Sequence, residues 1–179
     1  MSLNLSTTQH VVAEVWDALD VLTDPEIPVV TLREMGIIRD VERVSENSVV
    51  VVITPTYSGC PAMEQIHDDI RSTVQSMGLA VEVRTQLAPA WTTDWMTDIA
   101  KDKLKAYGIA PPNRHCGSPA EQTSVVHFMR KPLQAADAVE CPHCGSSNTW
   151  ESSHFGSTAC KALYKCLDCQ EPFDYFKPY

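Results

Sequence analysis

The first half of the chain shows two kinds of hydrophobic spacing, helical and alternating. Apolar residues recur at steps of three and four between residues 9 and 22, which predicts an amphipathic opening helix. The stripe comprises Val12, Val15, Trp16 and Leu19. The two prolines of the following DPEIP are expected to stop this helix, because proline cannot donate a helical hydrogen bond.

Two β-rich segments follow the helix. GIIRDVERV at 36–44 and SVVVVIT at 48–54 are joined by the polar residues SEN. This arrangement predicts a hairpin, and the unbroken apolar run predicts that its second strand is buried.

A second helix and a third strand complete the pattern. Apolar residues at helical spacing predict a helix over 62–77, and Gly78 stands where the end of a helix favours a positive φ. LAVEVRTQL at 79–87 alternates between apolar and polar residues, which predicts a strand. The order α, β, β, α, β predicts a small α+β domain. The helical stripe comprises Met63, Ile66, Ile70, Val74 and Met77.

A third helix is predicted over 92–107. Apolar residues follow helical spacing there, namely Met96, Ala100, Leu104 and Tyr107. Thr92 or Thr93 is the expected N-cap, since a hydroxyl can accept an unpaired N–H there.

The composition changes after this helix. Proline, glycine and small polar residues dominate from 108 to 122, which indicates a linker, and TSVVHFMR at 123–130 predicts a short strand within it. The predicted organisation is a domain over 1–107, a linker over 108–138 and a cysteine-rich module over 139–179.

Five of the seven cysteines lie in that module, four of them in CPHCG and CLDCQ. Two CxxC knuckles separated by 21 residues can place four thiolates around one ion, as in a structural zinc site, so the module is predicted to be a zinc ribbon. The alternatives are four ordinary buried thiols or a thioredoxin-like redox motif, and the paired spacing disfavours both. The predicted zinc ligands are Cys141, Cys144, Cys166 and Cys169.

Charge and composition limit the partners. The 179 residues carry a net charge of -9, whereas nucleic-acid-binding proteins use clustered Lys and Arg to contact phosphates, so no nucleic acid is expected. The N-terminus has no leader pattern, and the longest aliphatic run, VVVVI, is only strand length. We therefore expect a cytoplasmic protein that is not in a membrane.

The ribbon is predicted to contact protein. Between 141 and 179, three lysines face four acidic residues, a balance of -1, so no basic patch exists. The aromatic tail EPFDYFKPY can supply docking contacts or form the ribbon's small core, and the sequence leaves both open. These aromatic residues are Phe173, Tyr175, Phe176 and Tyr179.

TPTYSGCP at 54–61 places a cysteine between a buried strand and a helix. Pro61 suits the first helical position, so Cys60 is predicted at the N-cap, where N–H groups and the helix dipole favour a thiolate. This position suits a metal ligand or a redox thiol, and a small buried hydrophobic residue is the alternative. A nucleophile would need a base, and His67, two turns along the helix, does not establish a dyad.

DPEIPVVTLREMGIIRDV followed by TPTYSGCP resembles the metal-sulfur cluster biosynthetic domain found alongside iron-sulfur assembly proteins. The resemblance spans residues 8–107 or so and implies that the DPE loop and the cysteine turn lie near each other. It carries over Asp24, Glu26, Thr54 and Cys60 as a shared cofactor-binding site.

LAPAWTTDWMT, FGSTACKALYKC and EPFDYFK extend the resemblance to the phenylacetate-degradation protein D family, over nearly the whole chain. Members are encoded with the multicomponent oxygenase that epoxidises the ring of phenylacetyl-CoA. The resemblance implies a maturation factor without catalytic activity of its own, which delivers iron or an iron-sulfur cluster transiently to that oxygenase or to its reductase component. A stoichiometric, non-catalytic subunit of the oxygenase is the main alternative, and a thiol enzyme acting on an acyl-CoA is a further one.

One thiol in each chain cannot hold a cluster, because an iron-sulfur cluster normally takes four protein ligands. A homodimer or a client protein must then supply the others. Cys116 and Cys160 are further candidates in the same chain.

Overall fold

Residues 5–112 and 138–179 are described by a computed structural model of the protein. The chain divides into two compact units, Met1–Leu104 and Lys105–Tyr179. Within the described ranges, no helix is both long enough and apolar enough to cross a membrane.

The first unit has the predicted αββαβ order, and the α+β fold class is confirmed. Its elements are α1 (Leu5–Leu19), β1 (Ile38–Ser45), β2 (Ser48–Ile53), α2 (Met63–Ser76) and β3 (Ala80–Thr85). In the sheet, β2 lies between β1, which is antiparallel to it, and β3, which is parallel to it because α2 makes the crossover. Five of the six residues of β2 are buried, as its apolar run predicts.

The first helix ends earlier than its prolines suggest. α1 stops at Leu19, six residues before Pro25, so the prolines do not terminate it. The Leu22 carbonyl accepts the N–H of Leu32 at 2.8 Å, and a bridge joins Thr23 to Thr31. These long-range bonds use backbone groups that a longer helix would need, and they close a loop that contains DPE.

The helix predicted over 92–107 is two elements. A short 3-10 turn, Thr93–Trp95, precedes α3 (Asp98–Tyr107). The Thr92 hydroxyl accepts the N–H of the residue two positions on, so it caps only the short turn. The N-cap prediction was therefore wrong for α3, because the hydroxyl that accepts an N–H in its first turn belongs to Thr97.

The break between these elements lies at Met96, whose backbone is extended. The N–H of Thr97 donates to the carbonyl of Glu34 at 2.9 Å instead of continuing a helix. A tertiary hydrogen bond therefore interrupts a segment whose apolar spacing is helical.

The second unit contains a four-stranded sheet. Its strands are β4 (Ile109–Ala110), β5 (Thr149–Ser153), β6 (Lys161–Cys166) and β7 (Pro172–Phe176), in the spatial order β4-β7-β6-β5. β4 falls within the predicted linker, and both of its side chains are buried where it pairs with β7. The short strand predicted at 123–130 and Cys116 lie outside the described residues.

Most of the aromatic side chains of the C-terminal tail lie in the core of the second unit. Phe173, Tyr175 and Phe176 are buried, and Tyr179 is partly exposed. Phe173 and Tyr175 pack beside Cys141 and other buried residues of the cysteine module. Their alternation on β7 turns both toward the cysteines, so the core interpretation of these residues is correct and the docking interpretation is wrong for the three buried ones.

Candidate functional site

Four sulfur atoms converge in the second unit. The Sγ atoms of the cysteines lie within 4.8 Å of one another, and the distances between opposite knuckles are 3.7 and 3.6 Å. A tetrahedral zinc ion with Zn–S bonds of about 2.3 Å separates its sulfur ligands by about 3.8 Å, so the donor set and its spacing fit zinc. The four cysteines are Cys141, Cys144, Cys166 and Cys169.

Both knuckles turn on a residue with positive φ just after their second cysteine. Gly145 has φ 75° and Gln170 has φ 66°. The N–H of Cys141 donates to the Ser146 carbonyl, and the N–H of Cys166 donates to the Glu171 carbonyl. The two turns are therefore built in the same way, and each directs a pair of thiols to the same point.

The surroundings of the cysteines shift the pKa values of the thiols in different directions. The backbone N–H of Cys169 and then that of Asp168 favour the Cys166 thiolate and lower the pKa of Cys166 to about 7. The Glu171 N–H also favours a thiolate at Cys169, but desolvation and the neighbouring thiols raise the pKa of Cys169 to about 12. Four thiolates can coexist here at neutral pH only beside a cation, because metal binding displaces their protons.

Asp168 joins the two knuckles. Its carboxylate accepts the Ser146 hydroxyl at 2.5 Å and the Asn148 side-chain amide at 2.7 Å. These bonds lower the pKa of Asp168, so the group is an anion that holds the first knuckle against the second. This role was not predicted from the sequence. The sequence feature that could have indicated it is an aspartate inside the second knuckle together with two short polar residues, Ser146 and Asn148, just after the first knuckle.

The cysteine turn of the first unit differs from the predicted N-cap. α2 begins at Met63 with Ala62 as its N-cap, two residues beyond Cys60, so the N-cap assignment of Cys60 was wrong. The Cys60 N–H donates to the Tyr57 carbonyl, and the Cys60 carbonyl accepts the Met63 N–H at 3.4 Å. Pro61 therefore lies in a tight turn ahead of the helix. Cys60 itself is half-buried in this turn.

Asp24 shapes the DPE loop. It is buried, and its Oδ1 accepts the N–H groups of Glu26 at 2.8 Å and of Ile27 at 3.0 Å. The Asp24 carboxylate thus binds its own loop, whereas the Glu26 side chain is exposed to solvent. Of these two residues, Glu26 is the one whose side chain is open to solvent.

Thr54 follows directly after β2. It is 1% exposed, and in the described part of the chain its hydroxyl has no hydrogen-bond partner. A buried hydroxyl without a partner costs roughly 1–3 kcal/mol.

Backbone bonds bring the DPE loop and the cysteine turn to one end of the sheet. The carbonyl of Leu32, just after the DPE loop, accepts the N–H of Ile37, and the Ile37 carbonyl accepts the N–H of Thr54. The chain leaves β2 at this point and enters the turn that contains Cys60. Ligands in α/β sheets bind beyond the carboxyl ends of parallel strands, and β2 and β3 both end here.

His67 lies near this end as well. Its Nε2 is 2.9 Å from the Thr85 hydroxyl at the last residue of β3. The His67 imidazole therefore has a partner on β3.

Two family models match the chain. The model described as "Iron-sulfur cluster assembly protein" matches residues 12–85, and that described as "PaaD zinc beta ribbon domain" matches residues 126–177. The two matches correspond to the cysteine-turn domain and to the four-cysteine module.

Two curated relatives cover different shares of the chain. A protein of Escherichia coli strain K12, named as one subunit of a "Putative 1,2-phenylacetyl-CoA epoxidase", is 47% identical over 93% of this chain and 92% of its own length. A Porphyromonas gingivalis protein named "Fe-S protein maturation auxiliary factor" is 35% identical over 45% of this chain and 78% of its own length.

A solved structure from Bacillus anthracis, of a "Domain of Unknown Function DUF59", has a TM-score of 0.53 and 26% identity. It covers 56% of this chain and 97% of its own. It supports the fold of the first unit.

Proposed function

Because the chain belongs to the PaaD family of phenylacetyl-CoA epoxidase proteins, we propose that it is an accessory protein that matures this oxygenase by handing on iron or an iron-sulfur cluster. The observation that carries the proposal is the half-buried Cys60, held in a tight turn at the carboxyl end of β2 within the iron-sulfur assembly domain.

The two units have separate roles in this proposal. Zinc held by the four cysteines of the ribbon is structural, because a set of four thiolates closes the coordination sphere and leaves no position for a substrate. The iron or cluster is cargo, bound transiently by Cys60. Transfer needs a ligand that solvent or another protein can reach, and a half-buried thiol meets this requirement better than the buried Cys160.

The residues around Cys60 have supporting roles. Asp24 holds the DPE loop in shape through two backbone N–H groups, and Glu26 presents an exposed carboxylate from the same loop. The buried Thr54 hydroxyl, unpartnered among the described residues, can donate to cargo or to a shifted cysteine turn. A second protomer or the client supplies the remaining ligands, because a cluster normally takes four.

The test is maturation of the oxygenase in cells that lack the native protein. Cys60→Ala is expected to abolish phenylacetyl-CoA epoxidation while the level of folded protein is unchanged. His67→Ala is a matched control on the neighbouring helix. An oxygenase that is fully active with Cys60→Ala would show that the thiol has no part in maturation.

A stoichiometric, non-catalytic subunit of the oxygenase is the second candidate. It is favoured by the relative whose name calls it a subunit and which matches nearly the whole chain. Co-purification with the hydroxylase at a fixed ratio, unchanged after the oxygenase is mature, supports this alternative. Release of the protein after maturation supports the proposed role.

A further inference from the structure

The four-stranded sheet of the second unit has one side turned away from the cysteines. Residues directly opposite each other on paired strands share a side, so Trp150, Lys165 and Pro172 form one cross-strand row. Leu163 and Asp174 form the next row on the same side. We call these five residues the outer face. Alternation places the buried partners of the cysteine core on the opposite side.

The outer face is largely apolar, and much of it is exposed. Trp150 is 58% exposed, Leu163 is 38% exposed and Pro172 is also exposed. Farther along the same side, Lys161 and Phe176 are buried, so the exposed part begins at a definite boundary. A tryptophan, a leucine and a proline in adjoining positions of a sheet form a patch, whereas single exposed apolar side chains are ordinary.

The outer face also contains a lysine, Lys165, that has no acidic partner among the described residues. Lys161 pairs with Asp174 at 3.5 Å, Lys105 pairs with Glu140 at 3.7 Å, and the ammonium of Lys177 donates to a backbone carbonyl. For Lys165, no carboxylate of a described residue lies within ion-pairing distance. Its row on the sheet places it between Trp150 and Pro172.

We propose that the outer face docks a segment of an oxygenase component that presents one carboxylate among apolar side chains. This inference rests on the proposed function and identifies where the client would bind. The carboxylate pairs with Lys165, and the apolar side chains cover Trp150 and Leu163. Tryptophan is enriched among the residues that dominate binding energies, and a complementary charge fixes the register of the contact.

The charges of the face disfavour other occupants. A nucleic acid needs several clustered cations, and here Lys165 is the one cation of a five-residue face that also holds Asp174, in a chain of net charge -9. A second copy of the chain, docked through the same face by two-fold symmetry, would have to match Lys165 with an acid of that face. The acid of the face is Asp174, which already pairs with Lys161.

The experiment measures binding of the full-length zinc-loaded protein to purified hydroxylase and reductase components of a phenylacetyl-CoA epoxidase, each immobilised separately. The variants are Trp150→Ala, Lys165→Gln and Lys165→Glu. Phe155→Ala is the matched control, because Phe155 is an aromatic residue of the same unit that is 63% exposed but lies outside the outer face. Zinc content and circular dichroism confirm that each variant is folded.

The expected result is that Trp150→Ala and Lys165→Glu each weaken binding to one component by about 10-fold or more, while Phe155→Ala binds normally. Lys165→Gln should bind more weakly than the wild type and lose part of the salt dependence, since the ion pair is screened by salt.

Three results would overturn the proposal. One is that neither component binds the wild-type protein. Another is that Trp150→Ala and Lys165→Glu bind like the wild type, or no worse than Phe155→Ala. The third is that Trp150→Ala changes only self-association in sedimentation experiments, which would make the face a contact between copies. None of these binding results involves Cys60, whose role is tested separately by oxygenase maturation with Cys60→Ala, so failure of the docking surface is distinguishable from failure of the proposed function.

Discussion

Gly36 occupies a position that admits no larger residue. Its φ is 68°, and a Cβ there would lie 2.7 Å from the Trp95 Cβ and 2.8 Å from the Trp95 carbonyl oxygen. Gly36→Ala is expected to destabilise the protein by roughly 3 kcal/mol or more, because backbone strain and a clash with backbone atoms add together. Chemical denaturation measures the loss.

Gly78 provides the control for that substitution. Its φ is 80°, and apart from its two neighbours in the chain no described residue has an atom within 4 Å of the position of a Cβ. Gly78→Ala therefore carries only the backbone strain and should cost about 1 kcal/mol. Equal losses for the two variants would show that the contact with Trp95 does not limit residue 36.

Glu34 ties the DPE loop to α3, and its effect on stability depends on pH. Its carboxylate accepts the Lys103 ammonium at 2.7 and 2.9 Å and the Thr31 N–H at 2.9 Å. Burial alone would raise the pKa of Glu34, but these bonds and the lysine charge lower it below 4.5. A carboxyl group with a lowered pKa in the folded state stabilises the fold above its unfolded pKa, and loses that effect as the pH falls through the folded value.

Glu34→Gln is expected to cost about 1 kcal/mol at pH 7, because the pair is only partly shielded from solvent. The difference from the wild type should begin to shrink near the unfolded pKa of 4.5 and disappear as the pH falls through the lower folded value, where the carboxyl of the folded protein becomes protonated. Denaturation curves at successive pH values measure this difference. Glu82→Gln, in the exposed pair with Arg84, is the control with little effect. A difference that stays constant down to acid pH would contradict the assignment.

Among the helices and strands, the spacing of apolar residues predicted the helix that buries one face and the strand that is buried along nearly its whole length. α2 carries Ile66, Ile70 and Val74 on its buried face, and β2 is an apolar run with a strand on each side. The interruption before α3 could not be predicted, because it depends on a hydrogen bond between Thr97 and Glu34, more than sixty residues apart.

The site shows the same limit. The spacing of the knuckles predicted which four cysteines converge, because each pair is local. The sequence did not show that Asp168 would bridge the knuckles, that Ala62 and not Cys60 would cap α2, or that the Thr54 hydroxyl would find no partner among the described residues. Each of these depends on atoms brought together by the folded chain.

Asp168 should set the zinc affinity of the ribbon. Asp168→Ala removes both side-chain bonds to the first knuckle, so the two knuckles are no longer held against each other before the metal binds. Zinc affinity is expected to fall about 10-fold, a loss typical of removing groups that support the ligands. Competition with a chromophoric chelator measures it. Glu171→Ala, also an exposed acid beside the second knuckle, should leave the affinity unchanged, and an unchanged affinity in Asp168→Ala would refute the bridging role.

At the scale of the whole molecule, each of the two units has a different source of stability. The first has an extended aliphatic core, whereas the core of the second includes Cys141 and Cys166 themselves. Removal of zinc by a chelator is therefore expected to unfold the ribbon and to leave the first unit folded. Amide hydrogen exchange should show lost protection in β6 and β7 and retained protection in β2 and α2. Re-addition of zinc is the control, and joint loss of protection in both units would contradict this separation.

Cys60 is proposed to hold transferable iron or a cluster, separate from the structural zinc of the ribbon. The most direct test is iron, acid-labile sulfide and zinc per chain after anaerobic reconstitution of the wild type, Cys60→Ser and Cys160→Ser. All three proteins are expected to retain zinc, and only Cys60→Ser is expected to lack iron and sulfide. Iron and sulfide in Cys60→Ser at the wild-type level would contradict the proposal.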